Sequence, residues 1–203
     1  MDIEVIFKIA VVLFSIIIHE VSHGFAALMM GDKTAKLAGR LTLNPIKHID
    51  LFGTIILPVL MLLATKGGFV FGWAKPVPYN PYNLSNQKWG DALVALAGPV
   101  SNIIIAFFFS LILHLAVYFN VANLAFVDIT KFIILMNIIL AAFNLVPIPP
   151  LDGSKVLFSL LPYKYAHLKH IMESYGFIIL LFFIFFLWDY FLNLVLYIAQ
   201  FLL

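Results

Sequence analysis

No cysteine occurs in the 203 residues, which excludes disulfides, thiolate metal sites, a cysteine nucleophile and S-palmitoylation; any transition metal must rest on histidine and carboxylate ligands. Charge is scarce as well. Only 11% of the residues are Asp, Glu, Lys or Arg, against about 25% in soluble domains. The formal net charge is +2 with no dense basic patch, so nothing supports a nucleic-acid partner. What remains is apolar: 64% of the chain is hydrophobic and the mean hydropathy is +1.07. An integral membrane protein follows.

Four segments reach the ~17–25 apolar residues that a bilayer span requires: roughly 5–30, 91–119, 131–150 and 175–203. The first opens with Asp2 and Glu4 in place of a basic head and carries His and Glu within its apolar stretch, so it reads as a retained span and not a signal peptide. Two shorter apolar runs are of re-entrant or interfacial length: 51–64, with Gly53 and Pro58, and 154–162, ending at Pro162.

Charge decides the expected topology. If 51–64 dips in and returns, loops 32–50, 65–90 and 151–174 share one side, with Lys33, Lys36, Arg40, Lys47, Lys66, Lys75, Lys88, Lys155, Lys164 and Lys169; the other side holds only Lys8 and Lys131. A full crossing by 51–64 splits the same residues five to seven. The positive-inside rule selects the ten-to-two arrangement, with both termini outside and the three basic loops cytoplasmic. Stretches 39–45 and 67–78 mix β-branched or aromatic residues with Gly and Pro, which suits short strands or a hairpin at the membrane surface. The expected architecture is an all-α polytopic membrane protein: about four full transmembrane helices, a re-entrant segment and short β or loop elements, in one domain over 1–203.

Within the first span lies His19-Glu20-Val21-Ser22-His23, with no full charge between Lys8 and Glu20 and none again until Asp32. A charge near the centre of a span costs roughly +2.5 to +3.5 kcal/mol, so such a cluster needs a reason, and a metal is the most economical one. On a helix, residues i and i+4 are neighbours on one face, so both imidazoles can reach one ion. Glu20 is near enough to touch a metal-bound water without ligating. That is the spacing of a zinc hydrolase. Catalytic zinc commonly has three protein ligands and an open position. Asp152 is a candidate third ligand: it follows Asn144-Leu145-Val146-Pro147-Ile148-Pro149-Pro150-Leu151, where the prolines forbid a regular helix. Unwound backbone at membrane depth is tolerated only where it lines a cavity or is buried in protein.

These pieces resemble the site-2 protease family of intramembrane zinc metalloproteases, in the small prokaryotic type without an appended regulatory domain. His19-Glu20-Val21-Ser22-His23-Gly24, Asn144-Leu145-Val146-Pro147 and Asp152-Gly153 carry the likeness, and Ala97-Gly98-Pro99-Val100-Ser101-Asn102 and Asn44-Pro45-Ile46-Lys47-His48-Ile49-Asp50 extend it over roughly 10–160. The resemblance implies His19, His23 and Asp152 as ligands of one Zn2+ per chain, with Glu20 as general base and acid. It implies Asn144 as a donor to the developing oxyanion or the substrate backbone, where a helix-capping role is the alternative. The expected substrate is a transmembrane-helix protein, and the expected place a cell membrane, multi-pass, with the active site toward the cytoplasm.

Other polar residues have blander roles open to them. Ser101 and Asn102 suit helix packing or capping, and His48 suits either an approach to the site or a surface role. Asp189 implies either a long tilted helix with a carboxylate near its middle or a helix broken there. Two rivals stand beside the protease reading. A zinc transporter needs ligands along a path to both faces, and a silent helix-binding relative has no need of Glu20.

Overall fold

The computed structural model describes residues 3–64 and 72–203. Four helical runs within them are long and apolar enough to cross a bilayer: Val5–Met29, Gly90–Tyr118, Leu124–Asn144 and Ala166–Ala199. The elements run α1 (Ile3–Met29), a single turn α2 (Thr34–Leu37), a π-helical turn (Leu51–Ile56) continuing into α3 (Leu57–Ala64), α4 (Gly90–Tyr118), α5 (Leu124–Asn144), α6 (Asp152–Leu160), α7 (Ala166–Phe182), a π-helical turn (Phe183–Leu187) and α8 (Trp188–Ala199). Helix α4 is the hub and packs against α1, α5 and α6, while α8 packs on α5.

Local chemistry sets the helix ends. Asn86 Oδ1 accepts from the N–H groups of Lys88 and Trp89 and so fixes the turn that leads into α4. Asn123 caps α5, its side chain accepting from the Phe126 N–H, so this span begins at Leu124 and not at 131. It takes Asp128 and Lys131 into its early turns. Its end at Asn144, short of the expected 150, follows from Pro147, Pro149 and Pro150. The chain then crosses a short turn, with Pro149-Pro150 in the cis form, before α6 opens on Asp152.

Among the described residues there is no strand. Residues 39–45 form a loop that leads into a 3-10 turn at Pro45–Lys47, and 72–80 run extended but pair in no ladder. The remainder of the expected 67–78 element, residues 67–71, lies outside the described residues. The 51–64 run is helical throughout and too short to span; whether its path is re-entrant turns on 65–71, also outside them.

Asp189 sits in an unbroken helical run from 166 to 199 whose hydrogen-bond pattern shifts to π just before it. Its neighbours Trp188 and Phe191 pack on Phe143, with ring centroids 5.9 and 6.5 Å away. This places the exposed Asp189 level with the last turn of α5, near one end of that span.

Candidate metal centre

The site is assembled from three helices. His19 and His23 project from one face of α1 with ring centroids 4.7 Å apart. Asp152, the first residue of α6, brings its Oδ2 to 3.1 Å from the Nε2 of each. All three are buried, at 6%, 8% and 8% exposure, and offer ligand atoms within 4.8 Å of one another.

The outer nitrogens of both imidazoles are anchored. His23 Nδ1 lies 2.7 Å from the Val94 carbonyl of α4, which can only accept, so Nδ1 carries the proton and Nε2 faces inward with its lone pair. His19 is fixed by a longer chain of the same logic. Asn137 Nδ2 donates to the Ile133 carbonyl and to Ser15 Oγ, at 2.9 and 3.0 Å, which turns Asn137 Oδ1 toward Asn102. Asn102 Nδ2 donates to that oxygen at 2.8 Å, leaving Asn102 Oδ1 to accept from His19 Nδ1 at 2.6 Å. Asn102 and Asn137 are fully buried. A buried polar chain of this kind is stable only when its members are satisfied, and each link here is made by a named protein group.

Close approach of α4 completes the enclosure. A Cβ at Gly98 would lie 2.5 Å from His23 Nε2 and 2.6 Å from His19 Nε2, so only glycine lets α4 pass this near the imidazoles. Gly153 serves α6 similarly, since a Cβ there would meet the Leu145 carbonyl oxygen at 2.2 Å. Two inward Nε2 atoms and a buried carboxylate, with both outer nitrogens held by acceptors, fit a zinc ion well.

Glu20 is half-buried beside this trio, and its Oε2 accepts from the Val77 N–H at 2.9 Å. Val77 belongs to the segment 72–80, which straps across the C-terminal part of α1, with Val77 against Glu20 and Gly24. The strap is tied down along its length. Trp73 N–H donates to the Gly53 carbonyl at 3.1 Å and Lys75 N–H to the His48 carbonyl at 2.9 Å. Asn80 N–H reaches Asp32 Oδ2 at 2.8 Å. Arg40 Nη2 donates to the carbonyls of Lys75 and Pro76, at 2.7 and 3.2 Å.

The expected residues do not all converge. Asn144 donates its Nδ2 to the Leu140 carbonyl at 3.0 Å, one turn back along α5, and makes no hydrogen bond to the trio. His48 is 1% exposed with Nε2 bonded to the Thr42 carbonyl, as part of the loop scaffold. Asn102, weighed for packing or capping, instead holds His19. Asn137, Ser15 and Val77 drew no attention from sequence. The signal for the first two was legible: uncharged polar residues inside apolar spans must find one another.

Fold and site together define a polytopic membrane protein with a buried metal-binding trio of the HExxH metallopeptidase type. Residues 7–122 and 110–187 match peptidase family M50, and the chain belongs to that family, the site-2 proteases. It is 41% identical over 180 residues to YwhC of Bacillus subtilis, a protein named as a zinc metalloprotease, covering 86% of this chain and 78% of that one. It is 32% identical over 142 residues to Rip2 of Mycolicibacterium smegmatis, likewise so named, covering 70% of this chain and 52% of the relative. The zinc metalloprotease MJ0392 of Methanocaldococcus jannaschii is 26% identical over 174 residues, 83% of this chain and 40% of that one. The chain thus spans most of YwhC but only about half of the longer relatives. No solved structure matches it. The chain is a membrane metalloendopeptidase of the zinc-dependent M50 family.

Proposed function

We propose that this protein hydrolyses a peptide bond in or near a transmembrane segment of another membrane protein, with one zinc ion held by His19, His23 and Asp152. The observation that carries the reading is the convergence of His19 Nε2, His23 Nε2 and Asp152 Oδ2 beside Glu20, on a helix long and apolar enough to span. When bound, zinc supplies Lewis acidity, which polarises a carbonyl and acidifies water. Glu20 takes the proton of the attacking water and later delivers it to the leaving amine. The Val77 N–H holds the Glu20 carboxylate in place while leaving its other oxygen for that transfer. Asn144, once its Nδ2 turns from the Leu140 carbonyl, donates to the substrate carbonyl oxygen or backbone.

The strap 72–80 and the helical run 51–64 contact the substrate as it unwinds, the strap through its exposed edge. Pro76 and Pro78 have no N–H to offer there, so the unwound segment donates to strap carbonyls more than it accepts. The site faces the cytoplasm, in keeping with the ten-to-two distribution of basic residues. Purified protein is tested on a tagged single-span substrate beside Glu20→Gln. The variant retains zinc and loses about 10²–10⁴ in rate; equal cleavage by both defeats the mechanism.

A further inference from the structure

A second polar cavity, of about 390 Å3, opens beside the metal centre and is walled by Lys88, Lys155 and Lys169 from three separate elements: the head of α4, α6 and the first turns of α7. Lys88 forms no ion pair among the described residues, and the partners of Lys155 and Lys169 lie outside the lining. Asp91 is the one carboxylate among the lining residues, and its Oδ1 already accepts from the Tyr79 hydroxyl. Lys155 lies 4.0 Å from Asp152 Oδ1, a carboxylate whose other oxygen serves both imidazoles. Lys169 reaches Glu173 only at 3.8 Å on an open face. Among the lining residues alone, three lysines face the single carboxylate of Asp91, while Asp152 and Glu173 stand outside the lining beside Lys155 and Lys169. Asn86 also lines it; its Oδ1 is spent on the head of α4, and its amide nitrogen makes no hydrogen bond among the described residues.

The cavity's depth narrows the choice of occupant. Lys88 and Trp89 immediately precede the α4 span, so the Lys88 side of the cavity lies where that span leaves the bilayer. Tyr82, 86% exposed, lines the same cavity, and Trp89 stands beside it under the Lys88 ammonium at 5.2 Å. Aromatic residues of this kind collect at headgroup level, and basic pockets between spans at that level bind anionic headgroups. Phe158, with Lys169 over its ring at 5.5 Å, adds an apolar wall for a glycerol backbone.

We infer that this cavity binds the phosphate of an anionic phospholipid headgroup, held by Lys88, Lys155 and Lys169 with Asn86 as a neutral donor. The inference depends on the membrane fold and not on the protease chemistry, so either can fail alone. An occupant here also competes with Asp152 for Lys155, which couples lipid composition to the metal centre.

The full chain is reconstituted in nanodiscs of phosphatidylcholine containing a minor share of phosphatidylglycerol, and retained lipid is identified by native mass spectrometry. The wild type keeps one phosphatidylglycerol. Lys88→Gln combined with Lys169→Gln lowers that retention about 10- to 100-fold, and unchanged thermal unfolding in pure phosphatidylcholine establishes that the variant is folded. If the double variant unfolds, Lys169→Gln alone is measured and must still lower retention. Inorganic phosphate added at millimolar concentration displaces little of the lipid. Equal retention by wild type and variants overturns the inference. So does displacement by free phosphate at low concentration, which marks a site for a soluble ion, or an effect of the variants confined to the KM of a substrate with an acidic flank, which marks a peptide site.

Discussion

His19 Nδ1 lies 2.6 Å from Asn102 Oδ1, the last link of a buried chain that begins at the Ile133 carbonyl. The chain has one direction, because a carbonyl can only accept, and it therefore dictates which nitrogen of His19 is free for a metal. Replacing Asn102 by Ala leaves the His19 N–H and the Asn137 carbonyl oxygen without partners in a dry interior. Zinc affinity, measured by chelator competition, falls about 10- to 100-fold. Asn137→Ala, one link further away, has a smaller effect on zinc.

Gly98→Ala is the sharper steric test. Its methyl would stand 2.5–2.6 Å from the two imidazole Nε2 atoms that face the centre, and these rings are held from behind by Val94 and Asn102. The rings have no retreat, so α4 must shift away from α1. Metal analysis of Gly98→Ala shows zinc largely lost while circular dichroism remains that of the native helices. Full zinc occupancy would contradict the close approach.

How much of this was legible in the sequence depends on the range of each interaction. His19, Glu20 and His23 are local on one helix, and helical spacing alone put them on one face. Asp152 lies 133 positions from His19 and was reached through the proline break and a family likeness. The spans were legible as apolar runs, but α5 began seven residues early because a single cap, Asn123, outweighs the charges of Asp128 and Lys131. The strap was misjudged as strand because composition reports extended backbone, whereas a ladder needs a partner edge; its donors go instead to a loop carbonyl, a turn and two carboxylates. The Asn102–Asn137 link joins two helices through side chains whose individual types are commonplace. Only their depth made them exceptional.

Asp32 ties the other end of the strap. Fully buried, it accepts from the N–H and hydroxyl of Thr34, the Asn80 N–H and the Asn83 amide. Burial pushes its carboxyl up, but these donors prevail and hold it below the usual 3.8. A depressed folded value means that its stabilisation is complete above about 3.8 and is lost as pH falls through the folded value. Thermal unfolding in detergent therefore weakens as the pH drops below about 4, and Asp32→Asn flattens that part of the profile. Asp32→Ala, which orphans the Asn80 and Asn83 donors, costs about 2–4 kcal/mol at neutral pH.

Arg40 controls the middle of the strap. It is 7% exposed, pairs with no carboxylate among the described residues, and spends its Nη2 on the carbonyls of Lys75 and Pro76 while its Nε finds no partner. The next residue along is Val77, whose N–H holds Glu20. Arg40 thus acts on Glu20 through two backbone carbonyls and one amide, without touching the metal centre. Each hydrogen bond from a charged donor contributes roughly 1.5–3 kcal/mol, so Arg40→Met raises the local opening of 72–80 by about 10- to 100-fold. Hydrogen exchange at the amides of Lys75 and Val77 accelerates by that factor, zinc content stays at the wild-type level, and cleavage slows because Glu20 is no longer held. Arg40→Lys, which reaches one carbonyl at a time, falls between the two. If exchange at Val77 in Arg40→Met matches the wild type, the strap is held by Trp73, His48 and Asp32 alone and Arg40 has no part in placing Glu20.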